Sequence, residues 1–156
     1  MLEEKSPMPT IRVRACGLMS GPSGLLMVNH GGLYGHDFWA PPGGGVEYGT
    51  TSAQTLLREF EEECGLQVDV RAYRFTCHVV LPHVHAIELF HIVELKGGSL
   101  VVGRDPEYGD RQIITDVRFM GFQELYNLPF HHLHPVFRKL KHPREILEIK
   151  GFLEVT

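Results

Sequence analysis

Glu59, Glu62 and Glu63 crowd five consecutive residues of this chain. On a helix Glu59 meets Glu62 at i+3 and Glu63 at i+4, where like charges destabilise by roughly 0.2–0.5 kcal/mol per pair. All three sit in the later turns, toward the negative end of the helix dipole. Arg58 is the only cation available on that helix. A solvated acidic face leaves this repulsion unrelieved, whereas a divalent cation relieves it. Hard oxygen donors clustered in this way suit Mg²⁺ or Mn²⁺ rather than zinc.

The element that positions them is a helix predicted over Thr51–Cys64. Thr51 caps it and Gln54, three residues on, completes a capping box. Gly65 stops it in the left-handed cap conformation, with Leu66 as the apolar contact beyond. At ~100° per residue, Ala53, Leu56, Leu57, Phe60 and Cys64 form one apolar stripe. Leu56, Leu57, Phe60 and Cys64 are therefore expected to be buried, and the three glutamates on the opposite side to face an open cleft. Ahead of the helix, Gly43, Gly44 and Gly45 let backbone approach a metal or phosphate where a Cβ would intrude.

These residues resemble the Nudix hydrolases, whose box reads G-x5-E-x7-R-E-U-x-E-E-x-G-U, with U a bulky apolar residue. Here the match runs Gly44, Arg58-Glu59-Phe60, Glu62-Glu63 and Gly65-Leu66 without a gap, and Thr50 stands where the family has its first glutamate. The resemblance implies that Glu59, Glu62 and Glu63 bind metal, that the Gly43 carbonyl completes the coordination, and that Glu59, Glu62 and Arg58 serve catalysis, Arg58 by holding a carboxylate in position. The first glutamate of the box usually pairs with that arginine. With Thr50 in its place, Arg58 is expected to lean on Glu62 or Glu47. The implied fold is α+β, a Nudix-like α/β/α sandwich with a mixed sheet.

Stepping along the chain, residues 11–20 alternate as a strand, and 24–30 follow a Gly-Pro-Ser-Gly turn as its hairpin partner. Arg12 and Arg14 then share a face, as contacts for substrate phosphates or as ordinary surface charges. Residues 30–36 read as a glycine-rich loop. Residues 68–80 and 84–95 read as strands, the second apolar on both sides and so central and covered. A polar loop over 103–111 carries Glu107 and Asp110, each an added metal ligand or general base by resemblance, or simply an exposed acid. A strand over 113–119, a short helix opening at Gln123 and a helix over Leu133–Leu140 complete the reading. The segment 146–155 fits a strand or a tail. The histidine groups (His83 with His85, and His131, His132 and His134) lack metal-site spacing and read as surface or satisfied core residues.

The 156 residues suit one domain, 1–156, and a content of 43% hydrophobic and 22% charged is that of a globular protein. A net charge of −4 gives no footprint for a nucleic-acid polymer. Cys16, Cys64 and Cys77 form no disulfide pattern, which fits a reducing cytoplasm. The opening MLEEKSPMPT reads as no signal peptide, and no apolar run approaches the ~20 residues of a membrane span. A cytoplasmic enzyme is expected, with a homodimer left open. The resemblance implies a Mg²⁺-dependent pyrophosphohydrolase that cleaves the diphosphate of a nucleoside diphosphate derivative, and that is the function expected. Pro82 is similar in placement to a proline of ADP-ribose hydrolysing members. The alternative, kept open by Thr50, is a nucleotide-binding module with little or no turnover.

Overall fold

The computed structural model describes residues 9–156. All but two residues of the MLEEKSPMPT opening, and the reading of it as no signal peptide, fall outside them. In chain order the elements are β1 (Arg12–Leu18), β2 (Ser20–Gly21), β3 (Gly24–Asn29), the single turn α1 (Gly31–Tyr34), β4 (Trp39–Ala40), β5 (Gly43–Gly45), α2 (Ser52–Cys64), β6 (Leu66–Leu81), β7 (Val84–Gly98), β8 (Asp116–Met120), α3 (Phe122–Asn127) and β9 (Gly151–Val155). The first sheet runs β5-β1-β7-β6-β9 and is mixed, with β1 parallel to β7 and β6 parallel to β9. In the second sheet β3 pairs β8 along one edge and β2 and β4 along the other, all antiparallel. Helix α2 closes one face of the first sheet through Leu56, Phe60 and Cys64. On the other face Phe75 and Phe90 stack at 4.4 Å and meet Leu125 of α3, Phe137 and Ile146. The fold is α+β, with a mixed sheet between helical layers.

The central strand is as its two-sided apolar pattern predicts: β7 lies between β1 and β6. Pro82 has a structural place in the tight turn between β6 and β7, where Leu81 pairs with Val84. The hairpin expected of residues 11–20 and 24–30 survives only at its tip. Ser20–Gly21 pairs with Gly24–Leu25, while β1 leaves for the other sheet. Residues Ala15–Leu18 are all buried, so this segment needs cover on both faces and partners on both edges, which the larger sheet supplies. The expected helix over Leu133–Leu140 is instead a 3-10 turn at Pro135–Lys139, between similar turns at Phe130–His132 and Pro143–Leu147. Pro129, Pro135 and Pro143 each lack an N–H and hold the preceding residue extended, so no α-helical run develops. The loop over 30–36 includes α1, the strand near 113–119 begins only at Asp116, and the C-terminal segment ends as a strand.

Helix α2 keeps its predicted limits. Thr51 and Gln54 form the capping box, and Gly65 takes φ 71° at the C-cap. Its rotation differs from expectation. Thr55, Leu56, Glu59, Phe60, Glu63 and Cys64 are buried, whereas Leu57 is 47% exposed. The buried sector is turned by about 60° from the apolar stripe. The helix packs on β5 as well as on β1 and β6, and β5 draws the carboxylate side inward. Gly17 allows this approach, since a Cβ there would overlap the Phe60 ring.

Candidate active site

The site forms where α2 lies against the glycines of β5. A Cβ at Gly44 would overlap the Glu59 carboxylate, so glycine is what admits that side chain. Glu59 is 7% exposed, and its Oε1 accepts from Arg58 Nη2 at 2.9 Å. Glu63, 1% exposed, sits behind it: Oε1 accepts from the Gly43 N–H at 3.2 Å, and Oε2 is buried without a hydrogen-bond partner, 3.6 Å from His30 Nε2. Glu59 and Glu62 line a cleft of about 580 Å³ with Arg58, Glu47, Arg12, Asp105 and Glu107. The expectation that all three glutamates face this cleft is corrected for Glu63, which the inward rotation of α2 buries against β5.

Arg58 organises the acidic side. Besides Glu59 it reaches Glu47 Oε2 at 2.9 Å and the Gly45 carbonyl at 3.3 Å, while Glu62 Oε2 stays 3.9 Å from its Nε. Of the two expected partners Glu47 is the closer. Thr50 adds no charge; its hydroxyl donates to the Glu47 carbonyl at 2.7 Å and so steadies the turn that carries Glu47. Burial, and then the charge of Glu63, push the Glu59 carboxyl up to about 8. Burial also raises Glu62 and Asp105.

Among the described residues no three His, Cys, Asp or Glu side chains already gather as a metal site, and Glu59 Oε1 is engaged by Arg58. The donors nevertheless fit a hard divalent cation. Two buried carboxylates repel each other, one buried oxygen has no partner, and a glycine cradle keeps Cβ atoms away.

The loop after β7 supplies the opposite wall. The N–H groups of Val101, Gly103 and Arg104 donate to the carbonyls of Cys64, Glu63 and Glu62 at 2.9–3.0 Å, satisfying the open end of α2. This brings Asp105 and Glu107 to the cleft, Asp105 Oδ1 accepting from the Glu107 N–H at 3.0 Å. Glu107 also pairs with Arg12 at 3.1 Å. Asp110 is not among the residues lining the cleft, and Asp105, which sequence reading missed, takes its place.

Arg12 and Arg14 do share a face of β1, and both line a second cavity of about 250 Å³ beside the cleft. Arg14 Nη1 donates to Glu88 Oε1 at 2.9 Å, and His134 Nε2 lies 2.8 Å from Glu88 Oε2. Neither Glu88 nor His134 was singled out from sequence as a site residue. The available signal was a lone acid between Ala86 and Phe90 on a strand otherwise covered. His85 pairs with His78, Nε2 to Nε2 at 2.9 Å, rather than with His83. The three cysteines are buried free thiols, and burial pushes Cys77 up to about 12. No helix among the described residues is long and apolar enough to cross a membrane.

A family model described as NUDIX domain matches residues 8–140. No curated protein matches the chain. Among solved structures it is similar to a UDP-X diphosphatase, 20% identical with a TM-score of 0.69, covering 97% of this chain and 71% of that one. A NUDIX hydrolase from Nitrosomonas europaea is 16% identical with a TM-score of 0.68, covering 83% of this chain and 85% of that one. An ADP-ribose pyrophosphatase from Streptococcus suis is 13% identical with a TM-score of 0.59, covering 92% and 99%. At these identities the likenesses speak for the fold. The family match takes in both walls of the cleft and the whole glycine-to-helix segment between them, and the chain belongs to the NUDIX domain family.

Proposed function

We propose that this Nudix-family enzyme is a Mg²⁺-dependent pyrophosphohydrolase that cleaves the diphosphate linkage of a nucleoside diphosphate derivative by attack of water on phosphorus. The observation that carries the reading is the buried Glu59–Glu63 pair with its partnerless oxygen, set against β5 and opening at Glu62 into a cleft that also holds arginines. Glu59, Glu62 and Glu63, with the Gly43 carbonyl, would hold Mg²⁺ or Mn²⁺. When bound, such an ion neutralises phosphoryl oxygens and lowers the pKa of water. Arg58 orients Glu59, and Arg12 and Arg14 receive substrate phosphate. Asp105 and Glu107 stand across the cleft, where a carboxylate can take the proton of the attacking water. Buried free thiols support a reducing, cytoplasmic setting.

ADP-ribose, nucleotide sugars, dinucleoside polyphosphates and damaged nucleoside triphosphates with Mg²⁺ form the panel that tests this. Nucleotide and phosphate-ester products are expected from at least one of them. Glu62→Gln, which keeps shape and removes charge, is expected to lower both turnover and Mn²⁺ affinity by about tenfold or more, the scale on which a metal site loses affinity or activity when a supporting group is removed. A folded wild type that binds nucleotide yet turns over nothing on the panel is the binding-module outcome and sinks the proposed activity.

A further inference from the structure

Glu88 is a charge that the core has no packing use for. It is 2% exposed on the central strand β7, in register with Arg14 of β1. Its Oε1 accepts from Arg14, and its Oε2 lies against His134. His134 Nδ1 accepts from the Val136 N–H at 3.1 Å, so the neutral ring carries its proton on Nε2, the nitrogen nearest the carboxylate. That contact is bent, and Oε2 makes no well-aligned hydrogen bond. Glu88 thus stands between two donors, and a group that accepts at both oxygens answers both. Burial alone would raise Glu88, but His134 and Arg14 together bring it down to about 2, and it stays ionised.

A buried ion pair is a poor route to stability, because hydrophobic residues of the same volume often do as well or better. Its effect here falls on Arg14. One guanidinium nitrogen is tied to Glu88; the other N–H groups have no partner among the described residues, and the side chain lines the smaller cavity beside Arg12. An arginine held before the ligand arrives loses less rotamer freedom on binding an anion.

We propose that Glu88 and His134 are positioning residues, fixing Arg14 to take a phosphate of a nucleoside diphosphate. The choice of ligand rests on the function proposed above. The test is a double-mutant cycle on the full chain, Arg14→Ala, Glu88→Gln and both together, read by calorimetry with ADP in buffer containing Mg²⁺ and with thermal midpoints recorded alongside. The glutamine must turn its NH₂ toward either Arg14 or His134, setting donor against donor. Glu88→Gln is expected to weaken ADP binding about tenfold in the wild-type background and under about twofold where Arg14 is already alanine, the non-additivity of a residue that acts through its neighbour. If the glutamine variant fails to fold, Glu88→Asp, which keeps the charge and withdraws it by one methylene, carries the same cycle and the same expectation. Unchanged binding in the Glu88 variant, equal losses in both backgrounds, or no ADP binding by wild type overturns the proposal. Hydrolysis is not read, so a chain that shows this coupling but cleaves nothing supports the anchoring and sinks only the proposed activity.

Discussion

At the scale of single residues, the site turns on which carboxylate answers which charge. Glu47 stands in for the acid that Thr50 does not provide, reaching Arg58 from an exposed turn. Exposed pairs contribute at most about 1 kcal/mol to stability. Glu47→Gln is therefore expected to leave the thermal midpoint within a few degrees while lowering turnover several-fold, and adding Thr50→Glu to restore most of the loss. A steady-state assay of the three variants checks this; no recovery means that Thr50 is not interchangeable with the missing acid. Glu59 makes the second prediction. Its folded value near 8 lies above the ordinary 4.5, so between those limits the native state binds more protons than the unfolded chain. The contribution of Glu59 to the stability of the metal-free protein is then full below about pH 4.5 and falls as pH rises toward 8, by at most a few kcal/mol. Thermal midpoints measured in EDTA from pH 5 to 8 should fall, and Glu59→Gln should flatten the slope. Added Mg²⁺ should stabilise more at pH 8 than at pH 6, because binding must displace that proton.

At the scale of elements, α2 is the piece most legible in sequence and also the one most instructively misread. Its limits came from local chemistry: a Thr51–Gln54 box and a glycine stop act within a few residues whatever the helix packs on. Its rotation did not, because periodicity reports where the apolar side chains are and says nothing about a glycine strand waiting to receive two acids. The outcome divides Leu57 from Gly17. Leu57→Lys is expected to change stability by no more than about 0.5 kcal/mol. Gly17→Ala, which sets a methyl into the Phe60 ring, should cost about 1–3 kcal/mol. Urea denaturation of the two variants decides it, and equal effects would mean that the helix does not sit as described. The switch of β1 away from its hairpin was unreadable for a similar reason: its alternation serves either sheet, and only long-range pairing chooses.

At the scale of the whole molecule, the parts of the site that sequence conveyed lie on one continuous stretch, and the parts it missed come from elsewhere. Gly43, Gly44, Arg58, Glu59, Glu62 and Glu63 are legible together because their spacing along one loop and helix is their spacing in space. Asp105, Glu88 and His134 reach the neighbourhood through a loop, a central strand and a proline-broken segment near the C-terminus, and no local pattern ties them to α2. Sequence reading points to Asp110 in this loop and misses Asp105; the backbone hydrogen bonds of residues 101–104 are what set Asp105 at the cleft. Arg12 and Arg14 fall between these cases, since alternation put them on one face and the fold determined what that face meets.

The same tie between residues 101–104 and the end of α2 has a bearing on divergence. It uses main-chain N–H groups alone, and only Gly103 is held to its identity, a Cβ there overlapping the Glu62 carbonyl. The chain that follows that anchor starts at the cleft, and its far end is tied back where Gln112 Nε2 donates to the Gly103 carbonyl at 2.8 Å and Arg111 Nη2 to the Gly32 carbonyl at 3.0 Å. Between Glu107 and Arg111 the chain is then free to vary on a fixed mount: drift around Asp110 can retune what the cleft accepts while Asp105, Glu107, the box and the sheet stay as they are.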